Sequence, residues 1–282
     1  AVNVSDLKSL ADEMSYTNGD NITIAGDNSI NLNDKIALSD AGSIDIGTNT
    51  KISDGKLIIG DGNTATGTDA VAIGGGLNTA SEHGSLTAGG SRNKATGGGS
   101  AVFGGYQNTA TEDSSAVFGG ENNTASYYAS VVVGGDGNTA TGYDSVALGG
   151  ENNPASYRKS VVIGGANHTT PASGYGYASV VVGGSGNAAY GYTSALLGGE
   201  RNETHNLDAV AVGGGNNKAN GAYSVTLGGQ GGEAADEYSV AVGGKNNLAN
   251  GVYSVTLGGQ SGDARGEYSV AIGGGEANGN NS

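Results

Sequence analysis

The chain has 282 residues and no cysteine, so disulfides and thiolate metal sites are excluded, and backbone pairing with apolar burial has to supply its stability. Fifty-six residues are glycine, only 36% are hydrophobic and Trp is absent, which excludes an ordinary globular core. A net charge of −15 with a pI near 4.3 argues against nucleic acid and anionic lipid, both of which are recognised through basic clusters, and no stretch reaches the 18 apolar residues of a membrane span.

Residues 1–14 read "AVNVSDLKSLADEM". Leu7, Leu10 and Met14 recur at spacings of three and four, which predicts a short helix within a segment 1–17. Ala1 onward lacks the charged-then-apolar start of a signal peptide, which fits a mature segment or a fragment. Residues 18–56 alternate Ile22/Ile24, Ile30/Leu32, Ile36/Leu38 and Ile44/Ile46 between Asp, Asn and Gly, and read as an irregular β lead-in.

From 57 to 275 one word governs the chain. A small residue, an apolar one, a small or apolar one, an apolar one and Gly-Gly recur with the first glycine at 74, 89, 104, 119, 134, 149, 164, 183, 198, 213, 228, 243, 258 and 273. The step is 15 residues except for one of 19 between Gly164 and Gly183. Scattered glycine cannot produce this phase, so a disordered low-complexity chain is rejected in favour of a solenoid.

Residues two apart on a strand share a face. The second and fourth letters, such as Val71/Ile73, Ala101/Phe103, Val131/Val133 and Val270/Ile272, are therefore assigned to one face and taken to close the chain's own core. The third letters point the other way: Ala72, Thr87, Val102, Val117, Val132, Ala147, Val162, Val181, Leu196, Ala211, Thr226, Ala241, Thr256 and Ala271. Left bare, they would form an apolar stripe too long for a monomer, so they are assigned to an interface between copies. Gly-Gly and the following Asn are read as the corner, and the Asn-x-Ala piece, as in "NTA" at 63–65 and 108–110, as a second short strand with one inward Ala.

These words resemble the head domain of the YadA-like trimeric autotransporter adhesins of Gram-negative bacteria. "SVAIGG" at 269–274, "SVAVGG" at 239–244 and "AVAIGG" at 70–75 are similar to that family's head motif, over about 57–275, and the start at 1–14 is similar to its coiled-coil connectors. The resemblance implies an all-β, left-handed parallel β-roll, assembled as a homotrimer with a short N-terminal helical connector and displayed on the cell surface, anchored to the outer membrane through regions outside this chain. The 15-residue period with doubled glycine departs from the commoner 14 and alters a corner. A head at 57–275 leaves 276–282 as a tail.

Chemistry is sparse. His83, His168 and His205 show no metal-ligand spacing, the acidic residues Glu121, Asp136, Glu151 and Glu200 sit at corners as a solvated rim, and the glycines match neither a phosphate loop nor a nine-residue calcium roll. No enzyme activity, metal or cofactor is expected. Tyr128, Tyr143, Tyr177 and Tyr192 stand two residues before the word, whereas Tyr223, Tyr238, Tyr253 and Tyr268 stand one before it. Both rows read as stacked ladders, and exposed tyrosine also suits sugar or protein recognition. The break in period, assigned to 166–178, adds four residues and gathers His168, Pro171, Tyr175 and Tyr177 into one loop, the place where solenoids carry binding.

The expected function is a surface adhesin head that binds host matrix protein, a cell-surface receptor or glycan, or another bacterial surface by multivalent contacts. A spacer segment of a surface fibre is the alternative, and a carbohydrate-cleaving solenoid enzyme a remote third. At −15 per chain a basic partner or a neutral glycan is electrostatically easier than an acidic one.

Overall fold

The computed structural model describes residues 22–24, 30–32, 51–53, 55–170 and 177–282. The chain divides into two compact units, 1–51 and 52–282. In the first, Ile22–Ile24 pairs antiparallel with Ile30–Leu32, Ile22 opposite Leu32. The helix expected within 1–17 lies outside the described residues.

The second unit is a parallel β-solenoid. Each word forms a strand, Ala101–Phe103 for example, and its residues meet those 15 further on, so Ala101 pairs with Ala116 and Ala116 with Val131. This continues in parallel from Lys56–Asp61 to Val270–Ile272. With strands about 4.8 Å apart the sheet is roughly 65 Å long. Two-residue strands make a second row in two runs of seven, Thr64–Ala65 to Pro154–Ala155 and Ala188–Ala189 to Glu276–Ala277. Glu276–Ala277 pairs with Asp263–Ala264, and the Val270 amide donates to the Ser282 carbonyl at 2.8 Å. Residues 276–282, expected as a tail, therefore carry the coil onward.

The core corrects the assignment of faces. Ala72, Val102, Val117, Val132, Ala147, Val162, Val181, Leu196, Ala211, Thr226, Ala241, Thr256 and Ala271, assigned from the sequence to a trimer interface, are buried inside the single chain, as is Thr87. They pack against the inward alanines of the short row, Ala95, Ala110, Ala125, Ala140 and Ala155 among them. The reason is room: a 15-residue coil encloses one side chain from each row, and the short row supplies only a methyl group. Val, Ala, Thr and one Leu fit that space. The second and fourth letters face outward, and Phe118 is 44% and Ile272 68% exposed in the single chain.

Corners are fixed by backbone and by a ladder of amides. Both glycines of each pair have positive φ, and at Gly120 (φ 79) an added Cβ would collide with the Gly135 carbonyl of the next coil, so glycine is required there twice over. The following asparagine is not itself left-handed. That conformation falls on the residue before it, as at Leu77, Arg92, Gln107 and Asn122. The asparagine is buried instead and turns inward: Asn108 Nδ2 donates to the Gly104 carbonyl at 3.2 Å and to the Gly120 carbonyl of the next coil at 3.0 Å, while its Oδ1 accepts the Asn123 amide at 2.9 Å. The first-letter serine is equally structural. Ser130 Oγ donates to the Tyr127 carbonyl at 2.6 Å and so closes the other corner.

Candidate functional site

The four extra residues do not begin after Gly165. Glu151 still pairs with Ala166 and Ala155 with Thr170 at the ordinary step of 15, and the step of 19 first shows with Arg158 opposite Tyr177. The four extra residues therefore fall between Thr170 and Tyr177. Pro171 and Tyr175, named as binding residues from the sequence, lie outside the described residues.

His168, the third member of that loop, is corrected. It is fully buried and takes the place of an asparagine in the ladder, four residues after Gly164 as Asn153 is four after Gly149. Its amide donates to Asn153 Oδ1 at 3.1 Å, and its Nδ1 accepts the Asn187 amide at 3.3 Å. Nε2 has no hydrogen-bond partner among the described residues. Burial pushes the imidazole below its ordinary pKa, opposed by a smaller pull from the Gly164 carbonyl. A side chain committed in this way to the interior is unavailable to a surface ligand.

The tyrosines two before the word do come together. Tyr128 stacks on Tyr143 at 5.0 Å and Tyr177 on Tyr192 at 5.5 Å. Between the pairs stands Arg158, at the same phase of its coil, with its guanidinium 5.0 Å from the Tyr143 ring centroid and 5.4 Å from that of Tyr177. Five successive coils therefore carry one continuous column, Tyr128, Tyr143, Arg158, Tyr177 and Tyr192, with cation–π contact at its centre. Lys159 lies over the Tyr177 ring, 5.3 Å from its centroid, and its hydrogen bond with the Tyr177 hydroxyl raises the lysine pKa and lowers that of the tyrosine.

Beside this column Tyr127, Thr141, Gly142, Tyr143, Ser156 and Arg158 line an open groove of about 590 Å³. Its size falls in the range of small-ligand sites. A second, smaller groove of about 380 Å³ lies over Leu77, Arg92, Lys94, Gln107 and Thr109, where Arg92 is held by a 2.6 Å bond to the Tyr106 hydroxyl. Sequence reasoning picked the tyrosine column and missed Arg158, Lys159 and Tyr127. The signal for Arg158 was present, since it occupies the tyrosine phase. Tyr127 carries none, because its phase holds Glu112 and Gly142 in the two neighbouring coils.

The acidic corner residues stack as expected of a rim. Glu121, Asp136 and Glu151 are bridged in register and exposed. Among the described residues no group of His, Asp and Glu is arranged to hold a metal ion, and no helix is long and apolar enough to cross a membrane.

A further surface feature is the outward side of the long-strand sheet. Val71/Ile73, Ala101/Phe103, Ala116/Phe118, Val131/Val133, Ala195/Leu197 and Val255/Leu257 form two parallel apolar rows, and the Phe103 and Phe118 rings stack at 5.1 Å. No charged side chain interrupts these rows from Val71 to Ile272. A face of this length exceeds the few hundred Å² that single chains ordinarily expose. In comparisons with known proteins, no family model matches the chain and no curated protein is similar to it in sequence, so any reading of these surfaces stands on the geometry itself.

Proposed function

We propose that the chain is the head of a trimeric cell-surface adhesin of a Gram-negative bacterium, a left-handed β-roll whose copies pack through the second- and fourth-letter face. The observation that carries the reading is the uninterrupted apolar side of the long-strand sheet. Covering it would remove apolar surface from water, which stabilises by about 25 cal/mol per Å². Three copies packed in this way keep the tyrosine column and the corners outside. The head then acts without covalent chemistry, holding weak contacts in threefold repetition against host matrix, a receptor, a glycan or another cell.

Sedimentation equilibrium tests the assembly. The wild-type chain is expected at three times its 27.4 kDa mass. Phe118→Glu and Leu227→Glu, both outward-facing, are expected to release folded monomers. A wild-type monomer, or trimers that tolerate both charges, sinks the reading. Adhesion of cells displaying the chain separates the head from a mere spacer: loss of adhesion on Tyr128→Ala with Tyr192→Ala supports a ligand-binding head. Unchanged adhesion favours the spacer, which the regularity of the coil would serve equally well.

A further inference from the structure

We propose that the groove beside the tyrosine column binds a carboxylate-bearing pyranose, that is, one uronic-acid unit of an acidic glycan. The groove is complete within one chain, and the inference deepens the adhesion reading by naming a ligand class.

Three features make this a site rather than a gap between ladders. The first is an unstacked aromatic platform. Tyr127 is 49% exposed and meets Tyr143 only edge to face, at 6.4 Å and 67°. One coil further on, its phase is Gly142, so no side chain stacks on the ring there. Gly142 has to be glycine, because an added Cβ would collide with the Tyr157 carbonyl. A bare tyrosine face accepts the C–H side of a sugar ring.

The second feature is a pair of hydroxyls. Thr141 and Ser156 line the groove at the same phase of neighbouring coils, one strand spacing apart, and can bond the ring hydroxyls.

The third is the cation. Both faces of the Arg158 guanidinium are engaged by Tyr143 and Tyr177, which fixes its plane and leaves its N–H edge as the free part. Among the described residues Arg158 makes no ion pair within 4 Å. Its neighbour Lys159 differs, being held by the Tyr177 hydroxyl and drawn electrostatically toward Asp144. A rigid, exposed and unpaired fork at the end of a sugar-sized groove matches a carboxylate in bidentate geometry. The near carboxylate at the column is Asp144, which Lys159 offsets, and the rest of the net charge of −15 opposes an acidic ligand from further away. Charges further off than about 8 Å are screened at physiological ionic strength, whereas a direct guanidinium contact is not.

The test is calorimetric titration of the purified chain with a uronic-acid tetrasaccharide and with the same tetrasaccharide after carboxyl reduction, which leaves the ring and removes the charge. The wild-type chain is expected to bind the acidic form at least tenfold more tightly. Arg158→Gln should erase that preference, and Tyr127→Ser should weaken both forms, with circular dichroism confirming the fold of each variant. Absence of binding to the acidic form by the wild type overturns the proposal, as does a preference that survives Arg158→Gln. Titration in solution does not depend on adhesion. Failure of the titration with cell adhesion intact overturns the groove alone; a successful titration with no adhesion overturns the adhesion reading and leaves the groove standing.

Discussion

From Asn78 to Asn153 every coil puts an asparagine at the same buried position, whereas from Asn217 to Gly262 every second coil puts a glycine there. The two stretches nevertheless share one backbone, because each asparagine reaches two corners. In the first, Asn123 Nδ2 bonds the Gly119 carbonyl of its own coil at 3.2 Å and the Gly135 carbonyl of the next at 3.0 Å, while Asn108 covers Gly120 and Asn138 covers Gly134. Every glycine pair there is held from both sides. In the second, Asn217 serves Gly213 and Gly228, and Asn247 serves Gly243 and Gly258, at 2.9 and 2.8 Å. Gly213 is also reached by Asn202, but from Gly228 to Gly258 one asparagine per two coils touches every corner with no redundancy.

The same stretch gains a different ladder. Tyr223, Tyr238, Tyr253 and Tyr268 stack at 4.9, 4.7 and 4.8 Å, nearly parallel, on residues held at positive φ. The outward side of the short strands changes too. It runs through Thr79, Lys94, Thr109, Thr124, Thr139 and Pro154 beside the first stretch and through Lys218, Glu233, Leu248 and Asp263 beside the second. Coils can thus be locked by buried amides or by exposed rings, provided that the repeat keeps its length.

The largest expected effect tests the redundancy directly. Asn247→Ala removes the amide contact of two corners and the acceptor for the Gly262 amide, three bonds at about 1 kcal/mol or more each, so a loss of about 3–4 kcal/mol is expected. Asn123→Ala removes as many bonds but leaves Asn108 and Asn138 on the same corners, and about 2–3 kcal/mol is expected. Denaturant melts at fixed protein concentration would measure both, since assembly contributes to apparent stability. Equal losses would show that the doubled contacts in the first stretch act independently.

The tyrosine ladder is the next step down. Tyr238→Ala removes two ring stacks worth about 0.5–1.5 kcal/mol each while keeping a non-glycine residue at φ 56, so about 1–2 kcal/mol should be lost. Tyr238→Gly removes the same stacks but relieves a left-handed strain of about 1–2 kcal/mol, and should come out near neutral. If both variants lose the same amount, the stacking accounts for the whole effect and backbone strain has no share in it.

Why the period was legible and the facing was not follows from particular letters. Gly-Gly every 15 residues, Val-x-Val alternation and the inward alanine are local facts of sequence, and they gave the parallel coil. Alternation assigns the second and fourth letters to one side but does not say which side is inside. Size decides that, and the letters bearing on it were Phe103 and Phe118 at the fourth position and Thr87, Thr226 and Thr256 at the third. Two phenylalanines cannot enter a coil whose far wall is alanine. The asparagine ladder escaped notice because Asn was read as a left-handed corner residue, whereas the left-handed residue precedes it. The groove was the least legible part, since its walls come from three coils and its platform exists only because Gly142 leaves a ring bare.

His168 interrupts the asparagine ladder between Asn153 and Asn187, and it gives the smallest effect at neutral pH. Its neutral ring accepts the Asn187 amide at Nδ1 but caps no corner, so the ladder is thinnest at the coil that also carries the insertion. Because burial lowers its folded pKa, the unfolded chain takes up the proton first as acid is added. The contribution of His168 is therefore present above the unfolded value of about 6.5 and is lost as pH falls from there through the folded value. Protonation also turns Nδ1 from acceptor to donor against an amide N–H. His168→Asn should remove this dependence and, if its amide reaches the neighbouring glycine carbonyls as Asn153 does those of Gly149 and Gly165, add two corner bonds. Hydrogen exchange at the Asn187 amide across pH 5–8 is the sensitive readout: protection in the wild type should fall toward acid relative to the variant. Parallel pH profiles in the two proteins would place the acid sensitivity elsewhere in the solenoid and leave His168 a silent replacement for asparagine.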